Sequence, residues 1–448
     1  MKKTDNPESF LENLLEKTLK TGVDEADAVL YEKNGMSAAC RLGKKEKILK
    51  SGTRYFSLRV IKNRSQSVVS SSNFSNESIK RTIESAVSIS QATPKDPNIG
   101  LATDMEKRKR ISKILKTYDQ LTPTEKQLET KAIKTEDAAR SVKGITNSEG
   151  SVAEWEKIKT WLIGSNGFLD SYIQTKHKIF INVLAKKNNS MERDYEYRST
   201  VFGKDLGDLE KIGISAGKRA IKRLNPKKIK TIRAPVIFDP RVASSLVKNL
   251  GDAINGNLIS KGVSFLNNDM YKRIFPKDIS VIDDPTKDKG LKSRPFDTEG
   301  IPGKKLDVVK NGELGTWLLD LRTARKLKLD TTGNASRTIA TSPEPAPTNL
   351  YLAPGKLSPK KLISETKECL YVTELMGTAV NLVTGNYSRG ACGYWMKNGE
   401  ISFPVSEVTI AGNLRNMFKN LSAANDLRFY YGIDAPTIRI EGMTIAGQ

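Results

Sequence analysis

The stretch Ser151-Val152-Ala153-Glu154-Trp155-Glu156-Lys157-Ile158-Lys159-Thr160-Trp161-Leu162-Ile163-Gly164, with its continuation through Asn166-Gly167 into residues 170–186, decides the fold. Both arms read as long polar strands. The Asn-Gly pair between them is a turn signal, so the two arms pair antiparallel. Working towards the N-terminus, Thr122-Pro123-Thr124-Glu125 has capping-box spacing and opens a helix running to about Val142. Residues 92–120 are polar and irregular. Asn76 to Gln91 is a helix with Ile79, Ile83, Ala86 and Ile89 on one side. Further strands are expected at Gln66–Ser71 and Arg54–Lys62. Another runs from Ala26 to Glu32, turns at Asn34-Gly35 in a type I′ hairpin and returns as Met36–Leu42. Residues 7–21 form a helix capped by Asn6, with Pro7 at its first position and Phe10, Leu11, Leu14 and Leu15 on its apolar face.

Working towards the C-terminus, Leu209–Arg223 is helical, and the Lys/Pro-rich stretch 224–234 reads as a boundary. Beyond it, Pro235–Phe238 is a short strand. Asp239-Pro240 caps a helix with Val242, Ala243, Leu246, Leu250 and Ile254 inward. Hairpins turn at Asn311-Gly312 and Asn398-Gly399. Short helices open at Ser358-Pro359 and after Asn413, and 342–347 is a stiff proline loop. The expected class is α+β, in two domains. Residues 1–230 carry helices on a mainly antiparallel sheet, and 231–448 form a strand-rich domain with hairpins and a few helices.

A chain of 448 residues with 38% hydrophobic and 28% charged residues can bury a sizeable core. No apolar run approaches the roughly 20 residues of a membrane span. No apolar stretch follows Met1–Asp5, so the expectation is a cytoplasmic protein without a secretory signal. Cys40, Cys369 and Cys392 are too few and too scattered for a disulfide framework or a structural zinc site. The single histidine, His177, lies between lysines and reads as a solvated strand residue; one imidazole excludes any two-histidine metal site. The net charge of +23 raises nucleic-acid binding as a reading. However, the lysines are spread along the chain, and the densest run, 222–230, lacks aromatic residues for base stacking.

There is no phosphate-binding loop, dinucleotide fingerprint or nucleophile elbow. The second half does carry an ordered set of phrases: Pro295–Gly300, Thr323–Leu327 with Thr331–Ala335, Val372–Gly377, Gly385–Trp395, Pro404–Leu414 and Ile440–Gly447. Together they resemble the TldD/PmbA family, specifically its PmbA (TldE) branch. In the family's catalytic branch, a helical His-Glu-x-x-x-His motif holds zinc with two imidazoles and uses the glutamate as base. The resemblance places that motif at Val247-Lys248-Asn249-Leu250-Gly251-Asp252, where Val247, Lys248 and Asp252 replace the three functional residues.

The resemblance therefore implies a chain with no catalytic residues and no metal of its own. It would pair with a zinc-bearing TldD-like paralogue in a heterodimer that cuts unstructured peptides, with a homodimer as the form without that partner. Zinc is then expected in the partner subunit. Thr332, Gly333 and Asn334 either line a shared peptide channel or form a tight turn that needs glycine. Tyr387 and Arg389 either dock peptide or make a loop ion pair. Glu374 reads as a buried structural carboxylate, Cys392 as a small packed residue, and Trp317, Tyr394 and Trp395 as packing residues. Two other functions stand beside this one: a DNA- or gyrase-binding modulator, and an autonomous peptidase with an atypical site.

Overall fold

A computed structural model describes residues 6–107 and 115–447. The reading of residues 1–5, and the 108–114 part of the irregular segment, fall outside the described residues.

Glu25–Arg41 (β1), Lys44–Lys62 (β2), Ser65–Ser71 (β3), Ile145–Gly164 (β4), Leu169–Lys187 (β5) and Ser190–Thr200 (β6) form one antiparallel sheet in the order β3-β2-β1-β4-β5-β6. Among the described residues, five α-helices belong to this half: Pro7–Leu19 (α1), Asn76–Ala92 (α2), Asp104–Lys107 (α3), Glu125–Arg140 (α4) and Leu209–Lys222 (α5). The strands are long enough to carry two cores side by side on one face. At one end Ala28, Leu30, Phe56 and Leu58 lie under Leu11 and Leu14 of α1 and Ile79 and Ile83 of α2. At the other, Ala38, Ile179, Ile181 and Val183 lie under Leu128 of α4 and Ile212 of α5. Each large aliphatic side chain so buried contributes about 1.5–3 kcal/mol relative to exposure. Gly213 lets α4 and α5 cross closely, since a Cβ there would stand 2.1 Å from the Thr135 carbonyl oxygen. The opposite face is covered near Val29 and Leu162 by Phe296 from the C-terminal half.

Four local expectations need correction. The reversal expected at Asn34-Gly35 does not occur, and β1 runs straight through. Asn34 pairs with Gly52 on one side and Lys157 on the other. A residue bonded into two ladders cannot turn, and these non-local pairings outweigh the local Asn-Gly preference. The chain reverses at Leu42-Gly43 instead, both left-handed at φ 52° and 74°. The N-cap of α4 is Thr124 rather than Thr122, in a reciprocal box with Gln127. Ile89 is exposed, and Ser90 takes the inward position in α2. Finally, Asp104–Lys107 forms a helical turn within the segment read as irregular.

The C-terminal half follows as β7 (Ile232–Phe238), α6 (Pro240–Ala253), α7 (Gly256–Ile259), β8 (Val281–Asp283), β9 (Leu306–Lys310), β10 (Glu313–Leu314), α8 (Leu321–Leu327), β11 (Ala335–Ser336), β12 (Glu344–Pro345), β13 (Leu350–Leu352), α9 (Pro359–Ser364), β14 (Glu368–Met376), β15 (Asn386–Lys397), β16 (Glu400–Asn413), α10 (Leu414–Lys419), β17 (Leu421–Ala423), β18 (Ile433–Asp434) and β19 (Ile438–Ala446). One sheet has the order β16-β15-β14-β7-β19-β17, and β19 pairs back to β16, closing a barrel. A second has the order β10-β9-β8-β13-β18. The helix α6 packs against both. The expected Asn311-Gly312 and Asn398-Gly399 turns are present, with all four residues left-handed. Within the proline loop, Glu344–Pro345 pairs with Ala335–Ser336 as a two-residue ribbon. The α+β class is thus realised. Among the described residues, no helix is long and apolar enough to cross a membrane.

Candidate functional site

The helix α6 starts where its sequence says it should. The Asp239 side chain accepts the Arg241 N–H at 3.1 Å, and Pro240 supplies a fixed φ at the first position. The stripe Val242, Ala243, Leu246, Val247 and Leu250 is buried in the large C-terminal core. Val247 is therefore a packing residue, 3% exposed. Lys248 points outward, and its Nζ lies 2.5 Å from Asp252 Oδ2 one helical turn on.

These side chains do not fit zinc. Val247 has no donor atom, Lys248 brings a positive charge, and the Asp252 carboxylate is already engaged by that lysine. Nearby, burial pushes the Lys292 ammonium below its ordinary range; Asp283 opposes this and Lys248 adds to it. That local positive field disfavours a bound cation. Among the described residues, no cluster of three or more His, Cys, Asp or Glu side chains is placed to hold a metal ion.

Thr332, Gly333 and Asn334 are knit into the loops beneath this helix. The Thr332 hydroxyl accepts the Leu319 N–H at 2.7 Å, and Gly333 is left-handed at φ 70°. Asn334 is fully buried and donates to Asp283 Oδ2 at 2.8 Å. Asp283 also accepts the Thr348 N–H at 2.8 Å, and burial pushes its carboxyl up. Thr332 is 6% and Asn334 1% exposed in this chain. Tyr387 is 2% exposed on β15, with Arg389 beside its hydroxyl, and burial pushes its phenol up to about 12. Among the described residues, no hydrogen bond or ion pair joins Tyr387 or Arg389 to the 332–334 turn.

His177 contradicts the solvated-strand reading. It is 3% exposed, and its Nε2 lies 3.2 Å from Asp119 Oδ2. It falls in phase with Ile179, Ile181 and Val183 on the inward face of β5, beneath α4. That alternation was the signal available in the sequence; the flanking lysines point the other way. Cys392 is a buried packing residue whose thiol is pushed up by burial. Trp317, Tyr394 and Trp395 are buried as well.

The largest feature missed in the sequence is a pair of ionic clusters joining the halves. On β6, Asp194 receives Arg241 at 2.8 Å, Arg219 at 3.1 Å and Arg223 at 3.5 Å. Glu374 extends this cluster through Arg223 at 2.6 Å and Arg193 at 2.8 Å, which makes it a structural carboxylate. Part of the basic run 222–230 is thereby neutralised internally. The second cluster centres on Asp27. Arg59 reaches it with Nε at 2.6 Å, Arg337 with Nη1 at 2.6 Å, and Arg59 also faces Glu299 at 3.6 Å. Partners so far apart in the chain leave no local pattern.

A long sheet under two helix pairs, beside a closed barrel with α6 against it, is an architecture seen in solved structures. Candidate modulators of DNA gyrase from Thermotoga maritima and Bacteroides thetaiotaomicron match with TM-scores of 0.88 and 0.90, each 24% identical, covering 98% and 99% of this chain and all of theirs. The structure of TldE from Thermococcus kodakarensis matches at 0.88 and 21% identity, over 98% of this chain and 100% of that one. At such identities the likeness establishes the fold class.

Sequence comparison carries it further. Models for PmbA/TldA metallopeptidase domain 1, central domain and C-terminal domain match residues 26–90, 117–224 and 231–447. The metalloprotease PmbA of Escherichia coli O157:H7 is 35% identical over 95% of this chain and 93% of its own length. A PmbA homologue of Buchnera aphidicola is 33% identical over 100% and 99%. The chain belongs to the PmbA/TldD metallopeptidase family.

Proposed function

We propose that this chain is the non-catalytic subunit of a TldD/TldE-type heterodimeric zinc metallopeptidase that cleaves unstructured peptides in the cytoplasm. Its partner is a zinc-bearing TldD-like paralogue, and all the zinc resides there. One observation carries the reading: where the family's catalytic motif would fall, α6 presents Val247 inside the core and a Lys248–Asp252 ion pair outside it. The chain's only imidazole cannot substitute, because His177 lies on β5, in the other half of the molecule. Membership of a metallopeptidase family with no imidazole at that position, and with its one carboxylate paired to a lysine, supports an accessory role. Such a role is to complete the assembly and shape the space in which a peptide is held. Processing of peptide precursors and removal of antitoxin-like proteins are the substrates this reading favours.

The test is cleavage of an unstructured peptide by this chain alone, by the paralogue alone and by the two mixed, each with and without a chelator. The reading expects no cleavage by this chain and chelator-sensitive cleavage by the one-to-one mixture. Cleavage by this chain alone would establish an autonomous peptidase with an atypical site.

The names of two structural neighbours and the +23 charge favour a second reading, a modulator that contacts DNA or gyrase. That reading requires binding to duplex DNA that weakens steeply with salt. Salt-independent or absent binding removes it.

A further inference from the structure

The long sheet of the N-terminal half has two edges, and they are finished differently. At β6 the backbone is taken up by the neighbouring helices: the Tyr195 carbonyl accepts from Arg219 of α5 and Arg241 of α6. At the other side β3 packs against α2, but β3 is short. It pairs only with Phe56–Lys62 of β2, whereas β1 pairs with β2 from Lys44 to Ile61. Among the described residues, Lys44–Thr53 therefore carries a ladder on its β1 side alone. Every residue of it except Ile48 is exposed. At about 3.4 Å per residue this open edge runs roughly 34 Å. The backbone N–H and C=O groups that point away from β1 are a template for another extended chain.

Sheets guard such an edge with proline, a bulge or charge. Lys44–Thr53 has no proline, and the bulge in its ladder lies towards the hairpin tip, between Ala39 and Cys40. From Lys47 to Thr53 the ladder is regular. Charge is the remaining guard, and it is almost all of one sign: Lys44, Lys45, Lys47 and Lys50 stand against Glu46. Lys50 pairs with Glu125 of α4, and Lys45 lies near the same carboxylate. Lys44 and Lys47 make no ion pair among the described residues. Lys47 sits opposite Ala39 on the face away from the helices, and Lys45 sits opposite the buried Cys40 on the helix-bearing face. An added strand thus meets positive charge on either face, and Leu49, 48% exposed, offers it an apolar neighbour. A guard of this kind is selective. A second copy of the same edge would set lysine against lysine, so self-pairing is opposed, whereas an acidic strand is attracted by the same side chains.

We propose that the Lys44–Thr53 edge of β2 docks an acidic, extended polypeptide segment as an added strand. Backbone hydrogen bonds hold the segment, and the lysines select its charge. This docking belongs to the chain alone and does not rest on the accessory-subunit reading.

The probe is a fluorescein-labelled peptide of alternating glutamate and threonine, about twelve residues long so that it spans the edge. It is compared with the same peptide N-methylated on its central backbone amides, which keeps the charge but cannot complete a ladder, and with a lysine–threonine peptide. Anisotropy with the full chain should show saturable binding of the acidic peptide that weakens with salt, and no saturable binding of either control. Amide hydrogen exchange should slow across 44–53 and stay unchanged in β6. Lys44→Glu, Lys45→Glu and Lys47→Glu combined, all at exposed positions, should weaken the acidic peptide about tenfold, the scale of several exposed ion pairs lost together. The same charge reversal should give the lysine–threonine peptide the binding that the parent denies it, which an unfolded variant could not do. Absence of saturable binding of the acidic peptide to the parent would overturn the proposal. So would equal binding of the N-methylated analogue, protection confined to residues outside 44–53, or a charge-reversed chain that keeps the parent's preference.

Discussion

At one junction between the long sheet and the C-terminal half, three arginines converge on Asp194. At the other, Asp27 takes both Arg59 and Arg337, leaving Glu299 with Arg59 at 3.6 Å and with Asp320 and Asp297 as like-charged neighbours. Both clusters are buried, and both link residues distant in the chain; against the cost of burial, Asp27 is held by Arg337 and Arg59 and is pushed down as Asp194 is, while Glu299 responds to protons in the opposite direction. Burial works against ionisation of Asp194, but Arg241 and Arg219 outweigh it and hold the carboxyl below its ordinary range. Its stabilisation is present above that ordinary range and lost as pH falls through the depressed value. Glu299 is pushed up to about 8 by burial, then by Asp320, with Arg59 opposing. The folded state therefore binds a proton that the unfolded chain releases. That contribution is present below the ordinary value of 4.5 and is lost as pH rises towards about 8. The lesson is that arginine surplus or deficit, rather than burial alone, sets which way a buried carboxylate couples to folding.

The largest effect is expected from Asp194→Asn. It strips the buried Arg223 and Arg241 side chains and the partly exposed Arg219 of their common acceptor and should cost about 3–5 kcal/mol in urea unfolding at neutral pH. A loss below about 1 kcal/mol would show that the cluster is held by Glu374 instead. Next, Glu299→Gln removes the raised carboxyl. Between pH 5 and 8 the parent should lose stability with a slope of up to about 1.4 kcal/mol per unit, and the variant should be flatter. An unchanged slope would place the titrating group elsewhere, with Asp297 the next candidate. The smallest effect is Lys248→Ala on α6, which removes an exposed helical pair and should change stability by no more than about 0.5 kcal/mol. A larger loss would mean that Lys248 does more than face solvent.

Where local chemistry decides, the sequence was readable. The cap of α6 at Asp239, the Pro7 start of α1 and the left-handed turns at Asn311-Gly312 and Asn398-Gly399 are each set by residues a few positions apart. Where long-range pairing decides, it was not. Asn34-Gly35 carries the same turn signal, but lies between two strands that hold β1 straight. Ile89 matched the helical spacing, yet the core of α2 ends one residue askew from it. That Val247 and Lys248 are unsuited to ligate zinc was legible from residue types alone, whereas the engagement of Asp252 by Lys248 needed the helix geometry. The open edge of β2 needed the third dimension, because it depends on β3 pairing only with Phe56–Lys62.

Zinc content of the purified one-to-one assembly and of each subunit alone, measured by elemental mass spectrometry after gel filtration, tests the accessory-subunit reading without relying on activity. The account predicts one zinc per heterodimer, all of it accompanying the paralogue, and none retained by this chain. Stoichiometric zinc on this chain alone would contradict it, and would require a donor set that does not include Val247 or Lys248.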